Sequence, residues 1–213
     1  MSAAELTVSL LLAVARNVVP ANLALKNGQW KRSQFGGVEL QGKTVGIIGM
    51  GRVGRAFAAK ARGFDMDVHY YNRSELSADL AQGATYHSTV ESLLGVADFL
   101  SLNCPATPET TDLMNTESFA MLPSGAVIVN TARGALIDED ALMAALDSGH
   151  VAAAGLDCFK VEPGGNPALS SYDNVFMLPH IGSATRTTRD AMGFRALDNL
   201  DAFFAGQTPQ DQL

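Results

Sequence analysis

Short apolar runs alternate with amphipathic stretches through most of the chain. The runs predict strands at Lys43–Ile48, Met66–Tyr71, Ala97–Leu102, Ala126–Asn130, Val151–Leu156 and Val175–Leu178. The stretches between them have helical spacing and predict helices at Arg52–Arg62, Leu76–Ala81, Thr89–Leu94, Thr116–Met121, Glu139–Asp147 and Thr185–Ala205. Continuous apolar strands separated by helices are typical of a parallel sheet covered on both faces. The pattern therefore predicts an α/β fold.

The first 40 residues have a different pattern. From Ser2 to about Leu25 the helical pattern is apolar nearly all round, which predicts a helix covered on several sides. An irregular arm follows with Trp30, the only tryptophan. The apolar start carries Glu5 and lacks the basic residues of a signal peptide, and no apolar run reaches the ~18 residues of a membrane span. We expect a helix and arm over 1–40, one α/β domain over 41–184 and a C-terminal helix over 185–213.

Composition and net charge exclude several classes of protein and partner. The chain has 213 residues, of which 47% are hydrophobic and 17% charged, so an extended core is expected rather than disorder. A net charge of -7 argues against nucleic acid or an anionic membrane as partner. The two cysteines, Cys104 and Cys158, lack the spacing of metal ligands. We expect no metal site and a reducing, cytoplasmic location.

A glycine motif follows the first predicted strand. Gly49, Gly51 and Gly54 form a G-x-G-x-x-G pattern that opens the next helix, with Arg52 and Val53 inside it. These glycines permit a tight turn and close approach of the backbone to a pyrophosphate, and the helix N-terminus attracts its charge. The alternative is an ordinary glycine-rich turn. The context favours a dinucleotide site in a Rossmann-type, doubly wound parallel sheet.

The segment after the second strand bears on the choice of cofactor. An acid at this place would accept a hydrogen bond from the adenosine ribose of NAD, but the sequence has Asn72, Arg73 and Ser74. Arg73 and Ser74 can bind a 2′-phosphate, so we favour NADP(H) and keep NAD(H) as possible. Alternatively, Arg73 is a solvated surface residue and Asn72 alone binds the ribose.

Candidate catalytic groups follow the last strands. Arg133 can hold a carboxylate with two hydrogen bonds, Glu162 can hold a histidine ring, and His180 can pass a proton to or from a hydroxyl. Each alone could be a surface, turn or core residue. Because all three follow apolar strands, we expect them at the carboxyl edge of the sheet, where open α/β folds bind ligands. This trio suits hydride transfer at a 2-hydroxy or 2-oxo acid.

The chain resembles the D-isomer-specific 2-hydroxyacid dehydrogenase family. The likeness is carried by Ala4–Thr7, Gly49–Gly54, Pro105–Thr110, Asn130–Asp138, Gly155–Pro163 and Pro179–Gly182. It implies that Arg133 grips the substrate, His180 is the acid/base and Glu162 its partner. It also implies that the chain begins at the helix after a separate N-terminal substrate domain, so that this domain is absent here.

The resemblance further implies a cofactor groove along the sheet edge. Its expected members are Gly49, Gly51, Arg52, Val53, Gly54, Asn72, Arg73, Ser74, Cys104, Thr110, Thr131, Ala132, Arg133, Asp157, His180, Gly182 and Ser183. The run Asn72–Ser74 is similar to that of glyoxylate and hydroxypyruvate reductases that prefer NADPH. Small 2-oxo acids are therefore the expected substrates.

Two functions and one partner follow from these expectations. The first function is an NAD(P)-dependent oxidoreductase. The alternative is a non-catalytic dinucleotide-binding fragment, or an interaction module that senses the cofactor. If Leu6, Leu10, Leu11 and Val14 of the first helix cannot all be buried within one chain, a second copy should cover them, which predicts a homodimer.

Overall fold

A computed structural model describes residues 1–212, and its centre is a parallel sheet. The strands are β1 (Thr44–Ile48), β2 (Asp67–Tyr71), β3 (Thr85–His87), β4 (Phe99–Leu102), β5 (Ala126–Asn130), β6 (Val151–Leu156) and β7 (Val175–Met177). They lie in the order β3-β2-β1-β4-β5-β6-β7, and every pair is parallel. The order reverses between β1 and β4, which is the switch point of a doubly wound sheet. The predicted fold class is confirmed.

Helices cover both faces of this sheet. They are α1 (Ser2–Ala15), α2 (Val18–Lys26), α3 (Arg52–Arg62), α4 (Ala78–Ala81), α5 (Val90–Leu94), α6 (Thr116–Met121), α7 (Glu139–Asp147) and α8 (Arg186–Phe204). One hydrophobic core joins α1 and α3 to the sheet, with Phe57 and Tyr70 at its centre. A second core lies under α5, α6 and α7, with Leu100 and Phe119. The sheet is therefore buried on both faces, as its apolar strands require.

The element bounds agree with the predicted ones to within two residues, apart from β3 and the N-terminal helix. β3 was not predicted, because its three residues Thr85–His87 are polar or aromatic and lie at the edge of the sheet. It pairs only with β2, through the register His69 to Thr85 and Tyr71 to His87. An edge strand this short has no apolar run that would distinguish it from a loop.

The prediction of one continuous N-terminal helix is wrong. The chain breaks between α1 and α2, where Asn17 has a φ of 51°, and the two helices meet at 65°. α1 packs on β5 and β6 and buries Leu10, Leu11 and Val14 within the chain. The nine described residues of α2 include no buried one, and Leu25 is 58% exposed. The apolar surface that a partner would cover therefore lies on α2 rather than on this face of α1.

α8 also lies largely outside the core. None of its residues, all in the described part of the chain, is buried, and Phe203 and Phe204 are strongly exposed. It is tied to the start of α1 by a hydrogen bond from Thr188 Oγ1 to Ser2 Oγ of 3.1 Å. Within residues 1–212 no single helix is long and apolar enough to cross a membrane; only the bent pair α1 and α2, taken together, meets length and composition criteria.

Candidate active site

The loops that follow the strands meet along the carboxyl edge of the sheet. Because all seven strands are parallel, residues directly after each strand lie at this same edge. The expected site residues follow β1, β2, β4, β5, β6 and β7. The topology therefore brings the predicted glycine, arginine, glutamate and histidine segments to one side of the molecule.

The loop after β1 is shaped by the absence of side chains. Gly49 has a φ of 96°, and a Cβ there would lie 2.6 Å from the Cys104 nitrogen. A Cβ on Gly54 would strike the Gly49 carbonyl oxygen, whereas one on Gly51 would meet no protein atom within 4 Å. Gly49 and Gly54 are thus required by the protein itself. Gly51 leaves open space beside the N-terminus of α3.

The N-terminus of α3 is open to a ligand. In the part of the chain that the structure describes, no side chain caps it, and Gly51 occupies the cap position. The N–H groups of the first helical turn, from Arg52 to Gly54, have no acceptor inside the helix. Arg52 and Val53 are exposed. Free N–H groups at the positive end of a helix suit an anionic group such as a pyrophosphate.

The segment after β2 is anchored by Asn72. Its Oδ1 accepts a hydrogen bond of 2.7 Å from the Met50 N–H, so the amide links the end of β2 to the glycine loop. Arg73 and Ser74 are exposed. The Arg73 charge reaches Glu109, whose pKa is lowered mainly by a hydrogen bond with Thr107 and to a smaller extent by Arg73.

The loop after β4 holds Cys104 and Thr110. Desolvation raises the pKa of the half-buried Cys104 thiol. The Thr110 hydroxyl donates to the Pro105 carbonyl at 2.8 Å and accepts from the Thr107 N–H at 2.8 Å. Thr110 thus stabilises its own turn. Asn103 Oδ1 is buried and has no hydrogen-bond partner among the described residues. The backbone of Asn103 lies close to Gly49.

The loop after β5 is organised by the buried Asn130. Its Nδ2 donates to the Arg133 carbonyl at 2.8 Å, and its Oδ1 accepts from the Ala132 N–H at 3.0 Å. Thr131 Oγ1 lies 2.7 Å from Thr7 Oγ1 on α1. Arg133 is exposed, and its Nη1 donates to the Ala132 carbonyl at 2.6 Å. This contact uses one N–H of the guanidinium, and the remaining N–H groups stay available for a ligand.

The turn after β7 is held by Asp157, which follows β6. The fully buried carboxylate accepts the N–H groups of Ile181 and Gly182, each at 2.8 Å. Burial raises the pKa of Asp157, although these two hydrogen bonds oppose the shift. The residue before them, His180, has a φ of 53°. A non-glycine residue in the left-handed region is strained by about 1–2 kcal/mol, and Asp157 restrains the turn that carries it.

His180 and Glu162 form a close side-chain pair at this edge. His180 Nδ1 lies 2.6 Å from Glu162 Oε2, so the ring donates to the carboxylate. Glu162 Oε1 accepts the Phe159 N–H at 2.9 Å, which fixes the carboxylate from its other side. The side chains are 45% and 34% exposed. The histidine is therefore oriented by an acid and still reachable from solvent.

The Glu162 carboxyl stays ionised in this setting. Desolvation would raise its pKa, but the hydrogen bonds from His180 and from the Phe159 N–H outweigh it and, with the charge of Arg133, hold the pKa below its usual value. Burial, opposed by Arg133, raises the pKa of the neighbouring Cys158 thiol to about 12. The charges of Glu162 and Arg133 thus both act on Cys158. With its raised pKa, Cys158 is an inert thiol.

A cavity of about 610 Å³ adjoins the pair. Its lining includes Glu162 and His180 on one side and the apolar side chains of Phe159, Met177 and Leu178 on the other. This volume lies in the range of small-molecule sites. Among residues 1–212, no group of three or more His, Cys, Asp or Glu side chains is arranged to hold a metal.

The residues that organise the loops after β5, β6 and β7 were the hardest to predict from the sequence. Asn130 and Glu139 were not among the expected site residues. Asp157 was expected to line the cofactor groove, and in the structure its two carboxylate oxygens accept hydrogen bonds from the Ile181 and Gly182 N–H groups. An asparagine or aspartate at the end of an apolar strand was the available signal, because such a residue needs partners when it is buried.

The sheet order, the switch point and the glycine loop define a dinucleotide-binding domain of the Rossmann type. The profile of the family described as "D-isomer specific 2-hydroxyacid dehydrogenase, NAD binding domain" matches residues 8–182. The chain belongs to this family. The resemblance seen in the sequence is confirmed.

Several characterised relatives are similar over almost all of the chain. A glyoxylate reductase of Thermococcus litoralis is 42% identical over 97% of this chain and 64% of its own length. A glycerate dehydrogenase of Hyphomicrobium methylovorum is 40% identical over 97% and 66%, and a glyoxylate reductase of Pyrococcus furiosus is 44% identical over 94% and 62%. The chain therefore spans 62–66% of the length of these relatives.

Solved structures share the architecture. A glyoxylate reductase from Paecilomyes thermophila superimposes with a TM-score of 0.90 at 39% identity, covering 94% of this chain and 61% of that one. An NADPH-dependent glyoxylate/hydroxypyruvate reductase from Sinorhizobium meliloti gives 0.87 at 36% identity, with coverages of 95% and 64%. The family places this chain among nicotinamide-cofactor domains and leaves the choice between NAD and NADP open.

Proposed function

We propose that this chain binds NADP(H) and takes part in hydride transfer to or from a small 2-oxo or 2-hydroxy acid, such as glyoxylate or hydroxypyruvate. The observation that carries the proposal is the 2.6 Å contact between His180 and Glu162. It lies at the same sheet edge as the glycine loop, where a nicotinamide and a proton donor have to meet. The names of the relatives, glyoxylate reductase and glycerate dehydrogenase, support this substrate class.

The residues present fit a dinucleotide. Gly51 leaves room beside uncapped N–H groups of α3. We assign the pyrophosphate to Gly49–Gly54 and the adenosine end to Asn72–Ser74. When bound, the nicotinamide supplies or accepts the hydride at its C4. For the rest of the groove we propose Cys104, Thr110, Thr131, Ala132, Arg133, Asp157, His180, Gly182 and Ser183, with Thr110 and Asp157 acting through the loops that they hold.

The acid–base step is assigned to His180. Glu162 holds Nδ1, which leaves Nε2 to donate a proton to the oxygen of a 2-oxo acid as it becomes a hydroxyl, or to accept it in the reverse direction. An ionised Glu162 also stabilises the charged ring. Arg133 is assigned the substrate carboxylate, because its free guanidinium N–H groups can bind two oxygens at once. Holding the acid in this way orients its carbonyl carbon.

NADP(H) is proposed over NAD(H) because of the segment after β2. Asn72, Arg73 and Ser74 include no acid that would repel a 2′-phosphate, and Arg73 is exposed and so accessible to a ligand. The Sinorhizobium meliloti neighbour is described as NADPH-dependent, which agrees with this choice.

A steady-state assay of NADPH oxidation with glyoxylate or hydroxypyruvate tests the catalytic proposal. His180→Ala should lower turnover by roughly 10²- to 10⁴-fold, since acid–base catalysis contributes about that much, and should change NADPH affinity by no more than about threefold, because His180 is only one of many groove residues. His150→Ala is the matched control, because His150 precedes β6 at the opposite edge of the sheet. Loss of activity in neither variant, or in both, would contradict the assignment to His180.

A second candidate function is cofactor binding without turnover. It is favoured by the exposure of the pair, 45% for His180 and 34% for Glu162, because an open site excludes water poorly. A chain that binds NADPH tightly and oxidises none of it with either acid would support this function. In that case His180→Ala would change nothing measurable.

We further propose that the chain forms a homodimer in the cytoplasm. The exposed apolar residues Val18, Leu23 and Leu25 of α2 are candidates for the contact, since such a patch is costly in water. Both cysteines are free thiols, which suits a reducing compartment. Light scattering at micromolar concentration should give twice the chain mass, and a clean monomer would contradict the dimer.

A further inference from the structure

We propose that Glu139 is a positioning residue that sets the place of Glu162, and through it the orientation of His180. The inference rests on the proposed function, in which Glu162 and His180 form the acid–base pair. Glu139 is the first residue of α7 and comes directly after the loop that carries Arg133. In the chain, Glu139 therefore lies between Arg133, which is assigned to the substrate carboxylate, and the later segments of Glu162 and His180, which are assigned to proton transfer.

Both carboxylate oxygens of Glu139 leave their own helix. Oε1 accepts the Lys160 N–H at 3.0 Å, and Oε2 accepts Asn166 Nδ2 at 3.0 Å. Lys160 and Asn166 lie on either side of Glu162 in the chain. One side chain thus clamps both ends of the loop that carries the proposed histidine partner.

This clamp is not the usual role of an acid at a helix start. The N-cap of α7 is Asp138, whose Oδ1 already accepts the N–H groups of Asp140 at 3.1 Å and Ala141 at 3.3 Å. An additional acid in the first turn adds only a favourable charge, and the exposed Asp140 supplies the same. The hydrogen bonds of Glu139 are therefore directed at the neighbouring loop rather than at α7.

Other contacts bring the same two loops together. A Cβ on Gly134 would strike the Phe159 backbone, so the loop after β5 lies directly against the start of the loop after β6. Lys160 Nζ also forms an ion pair of 2.6 Å with Asp112. Between these anchors, Glu162 accepts the Phe159 N–H and the His180 ring. Releasing Glu139 would free the Asn166 end of the loop and leave Glu162 held at the Phe159 end alone.

The ring nitrogens of His180 report the consequence directly. With the chain labelled with ¹⁵N-histidine, the ring ¹⁵N shifts show which nitrogen carries the proton when the ring is neutral. An ionised Glu162 selects the form protonated on Nδ1. Glu139→Ala should reduce the Nδ1-protonated fraction by at least about twofold, because a displaced carboxylate no longer accepts from Nδ1. This readout needs neither substrate nor turnover.

Matched variants separate positioning from stability. Asp140→Ala removes an acid from the same turn of α7 without touching the loop and should leave the His180 shifts unchanged. Glu139→Gln keeps an acceptor for Lys160 but turns an amide toward the Asn166 amide, so it should be intermediate. In Glu139→Gln with Asn166→Asp the amide can donate to the new carboxylate, and the wild-type shifts should return. Chemical denaturation records stability alongside, and a purely structural role would not produce this rescue.

The outcomes distinguish this inference from the function beneath it. Glu162→Ala should give the largest change in the His180 shifts. If Glu162→Ala changes them and Glu139→Ala does not, Glu139 has no positioning role and the acid–base pair stands. If Glu162→Ala leaves them unchanged, the pair itself is wrong and both proposals fall.

Discussion

Around Gly49 the chain approaches itself so closely that a single methyl group would lie 2.6 Å from the Cys104 nitrogen, whereas around Asp157 two backbone N–H groups depend on one buried carboxylate. The first region, the loops after β1, β2 and β4, is here called the glycine half of the edge. The second, the loops after β5, β6 and β7, is called the polar half. The glycine half depends chiefly on missing side chains, although Asn72 and Thr110 also bind backbone there. The polar half depends chiefly on side chains that bind backbone, although Gly134 also makes a close approach there.

The difference follows from what each half is proposed to hold. A pyrophosphate is bound best by backbone N–H groups, which requires glycine at the points of approach. A proton donor needs a fixed ring, which requires buried acceptors and donors to hold the loop around it. Changes in the two halves should therefore have different effects on stability, cofactor affinity and cofactor choice, and we order the predictions from the largest effect to the smallest.

The largest effect is expected on stability in the polar half. Asp157→Ala leaves the Ile181 and Gly182 N–H groups without an acceptor, and at about 1–3 kcal/mol for each unsatisfied group the free energy of unfolding should fall by about 2–6 kcal/mol. Urea denaturation measures it. Asp173→Ala, at an exposed loop residue, should stay within about 0.5 kcal/mol. Equal losses of unfolding free energy in the two variants would contradict the claim that the buried Asp157 holds the polar half together.

The next largest effect is expected in the glycine half, on the affinity for NADPH rather than on stability. Gly51→Ala places a methyl group where no protein atom lies within 4 Å, so the unfolding free energy should change by about 1 kcal/mol or less, as expected for an alanine at an N-cap. NADPH affinity should fall by roughly 10- to 100-fold, because the methyl group occupies the approach of the pyrophosphate. Calorimetric titration measures it.

The control for that variant is Gly36→Ala, which also places a methyl group in open space but on the N-terminal arm. It should leave NADPH affinity unchanged. If Gly51→Ala binds NADPH as tightly as Gly36→Ala does, the pyrophosphate does not lie at the start of α3.

A smaller effect distinguishes the two cofactors. Arg73→Gln should weaken NADPH binding by about 10-fold and leave NADH binding unchanged, because a charged hydrogen bond to the 2′-phosphate contributes on the order of 1.5 kcal/mol. Parallel titrations with both cofactors measure it, with Arg189→Gln on the exposed part of α8 as control. Equal losses for both cofactors would mean that Arg73 does not read the 2′ position.

The smallest effect is a pH dependence of stability. The folded-state pKa of Glu162 lies below its ordinary value of 4.5, so its stabilisation is complete above pH 4.5 and is lost as the pH falls through the folded-state pKa. The difference in unfolding free energy between wild type and Glu162→Gln should therefore shrink on acidification. Because the side chain is 34% exposed, solvent screens it and the difference should stay below about 1 kcal/mol. A difference that grows in acid would contradict the assignment.

The two halves also differ in how far the sequence predicts them. The glycine loop is a local pattern, because Gly49 to Gly54 stand together in the chain and follow a strand directly. The partners in the polar half are far apart: Asp157 binds Ile181, and Glu139 binds Lys160 and Asn166. No periodicity links such positions. The sequence therefore predicts Arg133, Glu162 and His180 from their side-chain chemistry, but it does not reveal the residues that hold their loops in place.

The break after α1 shows a similar limit. The residues from Ser2 to Leu25 have helical spacing throughout, yet Asn17 adopts a left-handed conformation and α2 turns away from the sheet. Asparagine tolerates this conformation better than most residues, which was the only local signal. The burial of Leu10 and Leu11 against the chain's own core depends on the sheet order, which hydropathy does not report.

The central claim is that the glycine half binds the dinucleotide independently of the acid–base pair in the polar half. The most direct measurement is a calorimetric titration of wild type, Gly51→Ala and His180→Ala with NADPH and, separately, with NADH. The account predicts tight NADPH binding and weaker NADH binding by wild type, a large loss of NADPH affinity in Gly51→Ala, and a much smaller change in His180→Ala. Failure of wild type to bind either cofactor, or equal losses in both variants, would contradict it.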